Sequence, residues 1–247
     1  MLDPRSYSMA DGAPLLEVQR LTARYGLAQV LFGVSLEVRR GEVVALMGRN
    51  GAGKSTTLKA IMGLVAADCE RMTFGGHNIA RLPAFRIARL GLGYVPEERR
   101  IFTDLTVFEN LEVGQHPARG GREAWNLERL FTIFPNLAEM RGRRASAISG
   151  GEQQMLTIAR TLMGNPDMVL LDEPSEGLAP VIVEQMADAV LRMKDAGIAV
   201  LLSEQNLHFA SAVSDRAVVI EKGTVRYAGT IAALEADEAV RESYLTV

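Results

Sequence analysis

The chain has 247 residues, enough for one large domain or a domain with a subdomain, and 48% of them are apolar, so a sizeable core can be buried. Its formal net charge of −3 offers no basic face for nucleic acid, and its single cysteine, Cys69, excludes an internal disulfide and fits a reducing cytosol. No apolar run approaches the roughly 18 residues of a membrane span.

Residues 1–13 read as a disordered tail; Met1 to Asp11 lacks the apolar stretch of a secretory signal, and Met9 is a second candidate start. Leu16-Glu17-Val18-Gln19 and Leu36-Glu37-Val38-Arg39 alternate apolar and polar, as half-exposed antiparallel strands do. Val43–Met47, Met168–Leu171 and Ile198–Leu202 are apolar without alternation, the mark of strands buried on both faces of a parallel sheet. The stretch from Thr106 to Gly164 is mostly helical in pattern, broken at Pro117 to Gly121. Thr106–Glu109 and Ser149–Glu152 each match the S/T-x-x-E capping box. Ile182, Met186, Val190 and Met193 recur at helical spacing and predict a core-packing helix. Val218–Glu221 and Thr224–Tyr227, joined through Lys222-Gly223, predict a hairpin. The fold class expected is α/β: a parallel-sheet core with an antiparallel β subdomain (residues 14–96 and 165–247) interrupted by a helical subdomain (97–164).

Each non-alternating run ends in polar or glycine-rich residues: Gly48, Asp172-Glu173, and Ser203-Glu204-Gln205. Ligands of open α/β sheets sit beyond the carboxyl ends of the strands, so these three loops converge on one edge. Gly48-Arg49-Asn50-Gly51-Ala52-Gly53-Lys54-Ser55 fits the phosphate-binding loop G-x-x-x-x-G-K-[ST] at every fixed position. Gly48, Gly51 and Gly53 let backbone N–H groups turn toward phosphates, and the following helix points its positive end at them. Lys54 supplies a point charge to the β- and γ-phosphates, and Ser55 a hydroxyl to Mg²⁺. Asp172 is expected to hold Mg²⁺ through water and Glu173 to orient and polarise the attacking water. Ser149, Gly150, Gly151 and Glu152 open a helix with a hydroxyl and bare N–H groups, a second phosphate site that one chain cannot bring to its own P-loop.

These segments together resemble the ATP-binding cassette (ABC) ATPases over residues 14–247. The matching parts are Gly48–Thr56, the signature Ile148–Gln154, the Asp172-Glu173 pair, the turn Ser175–Pro180 and the switch segment Ser203–Asn206. The resemblance implies a RecA-like P-loop core, with Asn50, Ala52 and Thr56 joining the glycines, Lys54 and Ser55 around ATP. It implies that Tyr25 stacks on adenine. It also implies that two cassettes stack head to tail, the signature of one capping the γ-phosphate on the P-loop of the other.

Tyr94–Phe102, Asp172–Pro180 and Glu204-Gln205-Asn206 are similar to the smaller ATPase subunit of branched-chain amino-acid importers and their urea and amide relatives. That likeness implies a second ATPase subunit, identical or a sister, two membrane permease subunits and an extracytoplasmic solute-binding protein, with the chain peripheral on the cytoplasmic face. Three positions depart from the general ABC pattern: Glu97 stands where Gln is usual, Gln205 where His is usual, and Ala179 where many relatives carry Asp. All three recur in that subfamily; Glu97 remains a candidate for Mg²⁺ or water, and Gln205 for the γ-phosphate.

A soluble, non-transport ABC ATPase is the competing reading, disfavoured by one cassette, a short insert and no basic surplus. A P-loop kinase or GTPase lacks support because no Asn-Lys-x-Asp motif occurs and the signature would have no role. His208, three residues after Gln205, is read as a helix-face histidine, since that spacing on a helix is about 4.5 Å of rise. His77 and His116 show no metal spacing, Cys69 is given no chemistry, and Arg141, Arg143 and Arg144 are read as a solvated face.

Overall fold

The computed structural model describes residues 13–118 and 123–245. Most of the expected tail and part of the break at Pro117–Gly121 lie outside them. In chain order the elements are β1 (Leu16–Tyr25), β2 (Ala28–Val38), β3 (Val43–Met47), α1 (Lys54–Ile61), β4 (Ala67–Asp68), β5 (Arg71–Phe74), β6 (His77–Asn78), α2 (Ala84–Leu90) and β7 (Leu92–Val95). Then come α3 (Val107–Val113), α4 (Leu127–Ile133), α5 (Pro135–Glu139), a 3₁₀ turn at Ala145–Ala147 and α6 (Gly150–Met163). The chain closes with β8 (Met168–Asp172), α7 (Pro180–Asp195), β9 (Ala199–Glu204), α8 (Leu207–Val213), β10 (Arg216–Glu221), β11 (Thr224–Thr230), α9 (Ile231–Ala236) and α10 (Glu238–Tyr244).

The larger sheet runs β11-β10-β3-β9-β8-β7. Its strands from β10 to β7 are parallel, and β11 closes one edge antiparallel to β10. Every residue of β3, β8 and β9 is buried. Val43, Ala45, Met47, Val169, Leu171, Val200 and Leu202 face one core, shared with α6, α7, α8 and the helices that precede α6. Val44, Leu46, Met168, Leu170 and Leu201 face another, shared with α1, α2 and the smaller sheet. With both faces covered, neither face needs polar residues, which is why the sequence shows no alternation there.

The smaller sheet runs β2-β1-β5-β6, with β4 also paired to β1. Its first two strands are longer than their alternating ends suggested. In β1 the buried set moves from Leu16 and Val18 to Leu21 and Ala23. The register shift there contains Arg20 at φ 51°, whose N–H donates to Ser35 Oγ. In β2 the corresponding break is at Gly33, φ 88°. A bulge flips the pleat phase, so a strict period-2 reading loses the strand beyond it.

The late hairpin is present, but it does not stand apart from the core: β10 pairs with β3 in parallel. Its tip reaches the smaller sheet and the phosphate loop. Gly223 N–H donates to Ala52 O at 2.8 Å, and Gly223 O accepts from Phe32 N at 2.8 Å. Both capping boxes form, at Thr106/Glu109 and Ser149/Glu152. α7 buries Met186, Val190 and Met193, with Ile182 packed at the margin of the same core. Arg141, Arg143 and Arg144 are exposed.

Candidate functional site

The loops after β3, β8 and β9 leave the same edge of the larger sheet, because Met47 is in register with Glu204, and Asp172 with Ser203. The loop after β3 turns through Gly51 (φ 78°) and Gly53 (φ 109°) into α1. A Cβ on Gly48 would lie 2.3 Å from Ile220 O, so no other residue fits there. α1 starts without a side-chain cap, leaving its first N–H groups aimed at the cleft in front of it. That cleft, of about 550 Å³, is lined by Asn50, Gly51, Gly53, Lys54, Ser55 and Thr56 on one wall, Glu97, Glu173 and Glu176 on another, and Val30 of β2.

Lys54 is buried; its Nζ donates to Gly48 O at 2.7 Å and lies 2.9 Å from Glu173 Oε1. Glu173 itself adopts φ 48°, and its N–H donates to Ser203 O and Ser203 Oγ at 3.1 and 3.0 Å. Such a left-handed non-glycine backbone persists only where its surroundings over-determine it. Gln205 Nε2 donates to Asn50 Oδ1 at 2.7 Å and to Glu173 Oε2 at 3.1 Å. The Glu173 carboxylate is therefore held at both oxygens, by Lys54 on one and Gln205 on the other.

Asp172 is fully buried at the end of β8. Ser203 Oγ donates to its Oδ1 at 2.8 Å and Tyr94 OH to its Oδ2 at 3.1 Å. Burial, together with the Asp172 charge and its hydrogen bond, raises the Tyr94 hydroxyl far above its ordinary range, so it stays a donor. Burial and the nearby Glu173 and Glu97 charges push the Glu176 carboxyl up.

The structure thus gathers Asn50, Lys54, Ser55, Thr56, Glu97, Asp172, Glu173 and Gln205 at one edge. Ala52 contributes backbone alone, its carbonyl taken by Gly223. Tyr25 is half exposed at the end of β1, outside the residues that line the cleft. His208 is exposed on α8. Ser149–Glu152 lie at the start of α6 and do not line the cleft. Ser149 Oγ accepts from Glu152 N, and Glu152 Oε2 accepts from Ser149 N. A Cβ on Gly151 would lie 2.8 Å from Ile182, so a side chain there would displace that residue, whereas one on Gly150 would meet only the movable end of the Arg99 side chain, at 2.5 Å. Tyr94, Ser203, Glu204 and Glu176 lie in segments that carry the resemblance, but the sequence assigns none of them an individual role. The polar end of the third apolar run marked the place of Ser203 and Glu204, but not their partners.

A phosphate loop on a parallel-sheet edge, with a buried lysine facing a strand-end Asp-Glu pair, defines a P-loop nucleoside triphosphatase. Residues 31–176 match the ABC transporter family. The chain is 41% identical over 231 residues to BraG, a high-affinity branched-chain amino acid transport ATP-binding protein of Pseudomonas aeruginosa, across 94% of this chain and 99% of that one. It is 34% identical over 234 residues to LptB, the lipopolysaccharide export system ATP-binding protein of Escherichia coli, across 93% and 96% of the two chains. A solved ATP-binding cassette of an ABC transporter in its ADP conformation superposes with a TM-score of 0.79 at 28% identity, across 93% and 98%. The chain belongs to the ABC transporter family, as one of its ATP-hydrolysing cassettes.

Proposed function

We propose that the chain is the energy-coupling ATPase of an importer for branched-chain amino acids. The observation that carries the chemistry is the Glu173 carboxylate held between Lys54 and Gln205 at the mouth of the phosphate loop. The solute class rests on the likeness to BraG over nearly the whole of both chains.

ATP would lie along the phosphate loop, its phosphates taken up by the N–H groups of residues 51–55 and by Lys54. Once Lys54 turns to the phosphates, Glu173 Oε1 is free to accept a proton from water while Gln205 keeps hold of Oε2. Phosphoryl transfer asks the protein for positioning and charge more than for covalent chemistry. The cleft sets Glu97, Glu173 and Glu176 against a single lysine, so a triphosphate fits there only with a divalent cation. Mg²⁺ suits that role, because it usually keeps several waters and is held by one or two carboxylates plus substrate phosphates. Ser55 would hold it by its hydroxyl and Asp172 through water, with Glu97 a further candidate for Mg²⁺ or water, and it would neutralise charge on the transferring phosphoryl group.

The lid over the γ-phosphate would come from Ser149, Gly150, Gly151 and Glu152 of a second cassette, identical or a sister, since this chain does not bring its own signature to its own cleft. Tyr25 would receive the adenine ring. Residues 97–164 would form the lever that moves the permease. A groove of about 980 Å³ beside it carries the half-exposed apolar side chains of Leu64, Phe85, Phe102 and Val113, which suit an apolar loop of a membrane permease. No described helix is long and apolar enough to cross a membrane. By its likeness to BraG, the chain would sit peripherally on the cytoplasmic face, with two permease subunits, and serve a solute-binding protein it never touches.

Uptake of labelled leucine by cells carrying Glu173→Gln in place of the natural chain tests this. Uptake should fall to background; unchanged leucine uptake with defective lipopolysaccharide export would favour the reading that the likeness to LptB supports.

A further inference from the structure

Glu204, the last residue of β9, is 1% exposed, and among the described residues no lysine or arginine pairs with it. Its carboxylate accepts from main chain instead. Oε1 takes the Ser175 N–H at 3.0 Å; Oε2 takes Gln205 N–H at 3.2 Å and Asn206 N–H at 3.3 Å. A buried carboxylate is costly unless donors replace its water, and these three N–H groups, with the Ser175 hydroxyl, are those donors. Burial still pushes its pKa up, while the Ser175 hydroxyl and the Ser175 and Asn206 amides pull it down.

The two oxygens serve two different loops. Ser175 lies two residues beyond Glu173, in the turn after β8. Gln205 and Asn206 form the switch segment, where Asn206 Oδ1 also caps α8 by accepting from Phe209 N at 3.1 Å. Glu204 therefore braces the turn that carries Glu173 against the segment that carries Gln205. The 3.1 Å contact between Gln205 Nε2 and Glu173 Oε2 spans the same two loops.

We propose that Glu204 is a positioning residue for ATP hydrolysis, one buried carboxylate that ties the Glu173 turn to the Gln205 segment so that both meet the γ-phosphate in a fixed relation. The proposal rests on the ATPase reading above. Glu204 is buried behind the residues that line the cleft; it acts through Glu173 and Gln205, as outer-shell partners act on the groups they orient. Neither Asp nor Gln can replace it. Asp is one methylene too short to reach both loops. Gln has one acceptor oxygen, and its NH₂ would face N–H donors whichever way it turned.

The test is steady-state ATP hydrolysis and nucleotide binding for the wild type, Glu173→Gln, Glu204→Gln, Glu204→Asp, Gln205→Ala and the double variant Glu204→Gln/Gln205→Ala. Glu204→Gln should bind ATP within about threefold of wild type. Its kcat should fall by roughly 10- to 100-fold, the usual penalty for losing an orienting partner. In the Gln205→Ala background the same change should cost little more, because the two act on one contact. Should Glu204→Gln fail to fold, Glu204→Asp carries the test, with a fall in kcat at retained ATP affinity expected. Wild-type kcat in either folded variant, loss of binding in step with kcat, or full multiplication of the two effects in the double variant would each overturn the proposal. A wild type that hydrolyses no ATP, or a Glu173→Gln indistinguishable from it, would instead overturn the ATPase reading.

Discussion

Lys54 Nζ lies 2.9 Å from Glu173 Oε1, and both side chains are almost fully buried, at 3% and 6% exposure. The pair joins the phosphate loop to the end of β8 through two side chains that sequence alone treats as separate motifs. Breaking a buried ion pair from one side leaves an uncompensated charge, so the two residues are not independent.

That relationship gives opposite expectations for its two members. Glu173→Gln keeps the shape and still accepts from Lys54, so ATP binding should persist, while turnover falls by about 10²–10⁴ with the loss of a positioned base. Lys54→Ala removes the phosphate contact and leaves Glu173 alone, so both binding and turnover should fail. Equilibrium binding of a fluorescent ATP analogue beside a phosphate-release assay separates the two outcomes.

Gln205 contacts Asn50 and Glu173, whereas His208 is exposed on α8. Gln205→Ala should therefore reduce ATP turnover more than His208→Ala, by roughly tenfold or more against little change. The reverse order in the same phosphate-release assay would make the histidine the switch residue.

The hairpin tip is a structural requirement of the phosphate loop. A Cβ at Gly223 (φ 74°) would lie 1.9 Å from Val30 O, while one at Gly26 (φ 60°) meets nothing within 4 Å. Gly223→Ala should lower unfolding free energy in urea by about 2–4 kcal/mol, from backbone strain plus overpacking. Gly26→Ala should cost only the left-handed backbone penalty, about 1–2 kcal/mol. Gly223→Ala should also weaken ATP binding, because Gly223 holds Ala52 in the loop.

What was legible in the sequence depended on how local its cause was. β3, β8 and β9 were visible because two cores cover them, and the phosphate loop because its chemistry sits in eight successive residues. β1 and β2 were visible only at their ends, since the bulges at Arg20 and Gly33 shift the pleat. β7 went unseen: four residues containing Gly93 and Tyr94 make no apolar run, and its place depends on pairing with β8. The late hairpin was visible, but not its attachment to β3, which requires order between distant segments. In the site, Asp172 and Glu173 were found by their place after an apolar run, and Gln205 by resemblance. Ser203 and Tyr94 were not given their roles, because their contacts with Asp172 join residues 31 and 78 positions apart. Glu176 lies in the matching turn Ser175–Pro180, but nothing local to it shows that it lines the cleft.

The central claim is that this cassette's lid works on another subunit's phosphates and not on its own. Turnover and ATP affinity of Ser149→Arg, measured on purified cassette at a concentration where the wild type hydrolyses ATP, test it most directly. A bulky cation at the lid should leave ATP affinity at the phosphate loop within about threefold, since Ser149 does not line that cleft. Turnover should drop by about 10² or more, as when an aimed donor is lost from a transition-state site. Wild-type turnover in Ser149→Arg would contradict the account.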